Sequence, residues 1–174
     1  MINEWDEMCE LFGILAYLVK NSNPDGIDMY FAMPAIRYHD RNTSKLVDIA
    51  KSRKSQLQSK SNINRCLENI LMEYNRKLER QIDLRRVRLS DAPIEDLKPL
   101  SVYVFTNANW TERSGPEPAI TRIVDSLVAM NLPASQVGIQ FISFGSNEEH
   151  LQRLKEYDSI GLELYVTFAK SVEG

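Results

Sequence analysis

The stretch Leu100-Ser-Val-Tyr-Val-Phe-Thr106 constrains this chain more than any other. It is rich in β-branched and aromatic residues and reads as a buried strand. It stops at a polar turn, Asn107-Ala-Asn-Trp110, and a helical pattern resumes after Gly115 and Pro116. A strand, a turn and a helix in that order form the repeating unit of open α/β sheets. In such sheets ligands sit beyond the carboxyl ends of the strands. Here that position holds an amide, Asn107, where a metal or acid–base site would want a carboxylate.

The 174 residues are expected to form a single domain, 1–174, large enough to bury a substantial core. With 43% hydrophobic and 26% charged residues, the composition is that of an ordinary globular protein. A formal charge of −3 argues against a nucleic-acid surface. The longest uncharged apolar stretch, Leu11 to Val19, falls short of the roughly 18 residues a membrane span needs. An acidic start, Glu4 to Glu7, is unlike a secretory leader, so the expected location is cytoplasmic. Cys9 and Cys66 fall in helical patterns and read as small core hydrophobes rather than metal ligands. No cofactor is expected.

Trp5, Met8, Leu11, Phe12, Leu15, Leu18 and Val19 define a first helix with a wide apolar stripe. The turn cluster Asn21 to Gly26 ends it, and Ile27–Ala32 reads as a strand. A loop with Pro34 and His39 follows. Thr43 and Ser44 are candidate caps for a short helix with Leu46, Val47 and Ala50. Ser61 or Asn62 can cap a longer one carrying Ile63, Leu67, Ile70, Leu71, Tyr74 and Leu78. From Gln81 to Lys98 the period breaks into mixed charge, including Arg85, Arg86 and Arg88, and reads as an exposed insertion, 81–98.

Beyond the Leu100–Thr106 strand come a helix with Ile120, Ile123, Val124, Leu127 and Val128, and a strand Val137–Phe144. Ser146 or Asn147 can cap a further helix with Leu151, Leu154 and Tyr157. Leu162–Phe168 reads as a last extended segment. The order α-β-α-α-β-α-β-α-β implies an α/β fold: a doubly wound, mostly parallel open sheet with helices on both faces.

The ordered set Trp5 with Leu15-Ala-Tyr-Leu-Val-Lys20, Asp25-Gly-Ile-Asp28, Ser61-Asn-Ile-Asn64, Pro99–Thr106 and Gln136–Gly145 resembles the von Willebrand factor type A domain. The resemblance implies a metal-ion-dependent adhesion site at the carboxyl edge of the sheet. Its Asp-x-Ser-x-Ser motif is absent here. Its threonine corresponds to Ser61, and its Thr-Asp-Gly to Thr106-Asn107-Ala108. Without two carboxylates, most of the attraction for Mg²⁺ is gone, so no metal is expected. Met1 stands where the family has a Met after the missing motif. The resemblance therefore implies that the first central strand lies upstream of residue 1 or is supplied by another chain. Its place would be between Ile27–Ala32 and Leu100–Thr106.

The candidate binding residues are Ser61, Asn107, Asn109 and Trp110. Each also has a plain structural role: Ser61 as a helix cap, Asn107 as a turn residue, Trp110 as a partly buried loop aromatic. No catalytic residue is assigned: Asp28, mid-strand, is expected to hydrogen-bond to a neighbouring loop, and His39 and His150 have no partners that the sequence can supply. The resemblance implies a non-enzymatic interaction module that binds a protein partner through loops at the sheet's carboxyl edge, metal-independent or nearly so. One alternative is a truncated fragment of a longer type A protein with no activity of its own. Another is an enzyme on a doubly wound sheet, which would need a phosphate loop or a nucleophile elbow, and neither motif occurs.

Overall fold

Three acidic or cap-forming residues open the first helix, α1 (Trp5–Val19): Glu4 at its N-cap, then Asp6 and Glu7 where the helix dipole favours anions. A computed structural model of the chain describes residues 4–32, 34–56, 62–87, 97–110, 114–144, 148, 149, 152 and 154, and the backbone of 164–168. After α1 come β1 (Ile27–Ala32), β2 (Ala35–Asp40), α2 (Thr43–Ser52), α3 (Ile63–Arg86), β3 (Leu100–Thr106), α4 (Glu117–Ala129), β4 (Val137–Ser143) and β5 (Leu164–Phe168). The fold is α/β, with its strands in two separate sheets. β1 and β2 form an antiparallel hairpin, and β3-β4-β5 form a parallel sheet with β4 in the middle.

Local chemistry accounts for the element ends. Asn42 caps α2 by accepting from the Ser44 and Lys45 amides, and Asn62 caps α3 by accepting from Arg65. At the end of α4, Asn131 takes the left-handed conformation (φ 54°). Leu132 N then donates to Leu127 O and Asn131 N to Val128 O, which closes the helix and turns the chain toward β4. Gly26 opens β1 at φ 110°, and a Cβ there would sit 3.0 Å from the Asp40 carbonyl oxygen.

Two buried clusters lie on opposite faces of the parallel sheet. One joins Leu67, Leu71, Tyr74 and Leu78 of α3 to Ile120, Ile123 and Leu127 of α4, over Val104, Val137, Ile139 and Phe141. The other joins Trp5, Met8 and Cys9 of α1 to Leu46 and Ala50 of α2, Met29 of β1, and Ile142 and Phe144. Trp5 Nε1 donates to Ala50 O at 3.1 Å and ties α1 to α2. β4 therefore contributes side chains to both faces, as a central parallel strand does.

Several expectations need correction. The segment after Pro34 is a strand, β2, not a loop; Ile36 and Tyr38 are half-buried while Arg37 and His39 are exposed. Gln81–Arg86 is not part of an insertion but the last turns of α3. The Gln81 side-chain oxygen accepts from Leu97 N, and Leu97 packs on the α3–α4 cluster. Val128 is 73% exposed rather than core-facing. The expectations for residues 88–96, Ser61, Ser146, Asn147, His150, Leu151 and Tyr157 fall outside the described residues.

Candidate functional site

A cleft of about 1250 Å³ separates the hairpin from the parallel sheet. β1 forms one side and β3 the other. One stripe of α1 (Phe12, Leu15, Val19) and one of α3 (Ile63, Cys66, Ile70) form the remaining walls. Their spacings of three and four residues are those of a single helix face. Several of these side chains are only half-buried, so the cleft exposes apolar surface that a complete core would cover.

At the carboxyl end of β3 the chain turns sharply. Thr106 Oγ1 accepts from Ala108 N at 2.9 Å, and Asn107 Oδ1 accepts from Asn109 N at 3.3 Å. Ala108 is fully buried with φ 53°, a conformation that disfavours a residue bearing a Cβ. Asn107 and Asn109 line this end of the cleft. Trp110 does not: it is 7% exposed, its ring lies 6.5 Å from Phe141, and it belongs to the α3–α4 cluster. Two of the four candidate binding residues thus come together at the cleft. Trp110 lies in the core instead, and Ser61 is outside the described residues.

These donors do not fit the metal that a type A resemblance implies. Asn107 offers a neutral oxygen already engaged by Asn109, and hard divalent cations need several oxygens with net negative charge. Among the described residues, no group of three or more His, Cys, Asp or Glu converges. Titration calorimetry with Mg²⁺ or Mn²⁺ is expected to give no binding tighter than about millimolar. A micromolar isotherm would contradict this reading of the turn.

The amino end of the cleft is ionic. Asp28 receives two hydrogen bonds from the Arg37 guanidinium, each 3.1 Å, and faces His39 Nδ1 at 2.9 Å. Arg37 also reaches Glu73 of α3 at 3.4 Å, and Glu73 pairs with Lys77 one turn on. The hydrogen bonds that Arg37 donates to Asp28 raise the Arg37 pKa further, so its charge is fixed. Asp28 does bond to the segment expected to be a loop, which is the strand β2, and that strand gives His39 the partner the sequence does not supply. The alternation of Ile36 and Tyr38 with Arg37 and His39 was the available signal.

Above this ionic end, Tyr74 joins three segments. Its hydroxyl donates to Lys98 O at 2.7 Å and accepts from Gln136 Nε2 at 2.6 Å. Burial pushes the Tyr74 phenol and the Cys66 thiol above their ordinary values, and does the same to Tyr30 with help from Asp28. All three groups hold their protons to higher pH in the folded chain than in the unfolded one. Their contribution to stability is complete below the ordinary thiol and phenol range and is lost as pH rises through it. The melting temperature is therefore expected to hold near neutrality and to fall above roughly pH 9. Tyr74→Phe should flatten the upper part of that fall. A profile that does not change between pH 8 and 11 would exclude the linkage.

No protein family, curated protein or solved structure matches this chain. The functional reading accordingly rests on the cleft itself. Among the described residues, no helix is long and apolar enough to cross a membrane.

Proposed function

We propose that this chain is a non-enzymatic protein-interaction module with a type A-like, doubly wound arrangement. It binds a protein partner in the cleft between β1 and β3 and at the Asn107–Asn109 turn, and acts in the cytoplasm, where Cys9 and Cys66 stay reduced. The observation that carries this reading is the cleft: it is apolar along its walls, rimmed by amides at one end, and bounded by fixed ion pairs at the other. Apolar walls with a polar rim are the anatomy of a protein-binding surface. The ionic groups nearest the cleft are paired with one another, which suits a structural rim better than proton transfer.

Cys66 supplies a reporter, because it lines the cleft while Cys9 is fully buried. Peptides selected from a random display library against the purified chain are expected to slow alkylation of Cys66. Leu15→Asp, in the cleft wall, should weaken them by about tenfold or more, and Val128→Asp, on exposed α4 surface, should not. Failure to select any binder, or binders indifferent to both Cys66 and Leu15, would remove the reading.

A further inference from the structure

The two strands that face each other across the cleft each have an edge without a ladder partner. Among the described residues, β1 pairs only with β2, and β3 pairs only with β4. No other backbone hydrogen bond among them reaches 28–32 or 100–105. The amino ends of the two strands lie together, because Lys98, just before β3, pairs with Asp25, just before β1, at 3.6 Å. Their carboxyl halves face one cluster as well, since Met29, Phe31 and Phe105 all pack in it with α1. The strands therefore run in the same direction on either side of one gap.

The gap is also covered above and below. On β3, Leu100, Val102 and Val104 face the α3–α4 cluster, whereas Phe105 faces α1. On β1, Met29 faces α1, whereas Asp28 reaches α3 through Arg37 and Glu73. Whatever fills the gap is thus sandwiched between α1 and α3 while its two sides meet polar backbone edges.

We infer that the cleft accepts an extended, apolar segment of a partner polypeptide, about six residues long, which pairs with β1 on one side and β3 on the other and joins the two sheets into one. The inference rests on the interaction-module reading and names its ligand. Length follows from the six residues of β1 and the seven of β3, about 20 Å of strand. A six-residue strand between two helical layers occupies roughly 1,000 Å³ at the usual strand and layer spacings, and the cleft provides about 1250 Å³. With both faces covered, the segment must be apolar on both, a continuous run rather than an alternating one.

Other occupants fit less well. An alkyl chain would fill the apolar walls but leave two rows of backbone donors and acceptors buried without partners, which is costly. A helix satisfies its own backbone and would leave both strand edges without partners. Outside the described helices and strands this chain has no six consecutive apolar residues, and its most apolar strand, β4, is paired on both sides. Recognition is by strand addition at two edges at once.

The test uses the full chain and a synthetic decapeptide, Val-Ile-Val-Val-Ile-Val flanked by two lysines at each end, beside the peptides from the display selection. Backbone hydrogen exchange is expected to slow by about tenfold or more in both β1 and β3 when the decapeptide binds. The selected binders should be enriched in uncharged apolar runs of about six residues. N-methylation at alternate residues, which removes the donors from one edge, should weaken binding by about 100-fold, the effect of some three lost hydrogen bonds.

Equal binding of the methylated peptide, or protection of only one strand, would overturn two-edge pairing. So would dodecanoate filling the cleft and blocking Cys66 with the decapeptide excluded. Selected binders that block Cys66 but bind as helices or through charge would leave the interaction module standing and remove the strand. Exchange protection that instead grows with concentration of the chain alone would assign the donor to a second copy and overturn the separate partner. If nothing protects Cys66, both readings fall together.

Discussion

Phe141→Ala is expected to destabilise the chain by about 3–5 kcal/mol, the cost of emptying a large buried aromatic site. Phe141 is 0% exposed and sits in the middle of β4, opposite Val104 of β3 and Val166 of β5. β4 is held by ladders on both sides, so its backbone cannot move to fill the space. Trp110, 6.5 Å away, is the large neighbour that would have to shift, and it is itself packed in the same cluster. Urea unfolding should show a lower midpoint with an unchanged slope, which separates lost stability from a changed denatured state. A loss below about 1 kcal/mol would mean that the site collapses around the smaller residue and that β4 is not rigidly held.

The elements with long apolar periods were legible in the sequence. Leu100–Thr106 and Ile27–Ala32 have the bounds expected, and α3 begins at Ile63, one residue after the candidate cap Asn62. In each case the apolar spacing coincides with burial in a cluster, so local pattern and tertiary packing agree. β2 was lost because Pro34 signalled a loop, whereas proline is tolerated just before a strand that starts at Ala35. The end of α3 was lost for the opposite reason. Gln81–Arg86 carries no apolar stripe, and the exposed Leu84 shows that solvent-facing helix can continue without one.

The site was legible only in part. Asn107 and Asn109 were found because a strand end announces a ligand edge, and both do line the cleft. Trp110 follows them by one residue, yet a turn through the left-handed Ala108 sends it into the core. No spacing rule forecasts a positive φ at an alanine. The ionic end of the cleft depends on Asp28, Arg37 and Glu73, which lie on three elements, so it required the tertiary fold to become visible.

Phe105→Ala is the second substitution expected to have a large effect, and its signature should differ from that of Phe141→Ala. Phe105 is half-buried at the carboxyl end of β3, on the face that looks toward α1. Its ring meets Phe12 edge-on at 5.9 Å and stacks on Phe144 at 6.2 Å, so it bridges α1 to the end of the parallel sheet. Tyr103, two residues earlier on the same face, is 39% exposed beside the cleft and provides no comparable bridge. The expected loss is about 2–4 kcal/mol, near the lower end for a buried aromatic because part of the ring already meets solvent. The loss should also be uneven. Amides of α1 and of the β1–β2 hairpin should exchange faster, while those of β4 keep most of their protection, because the α3–α4 cluster does not include Phe105. An even loss of protection across all these elements would mean that the two clusters open as one cooperative unit. In that case the cleft is a groove in a rigid body, and Phe105 contributes only its share of a common core.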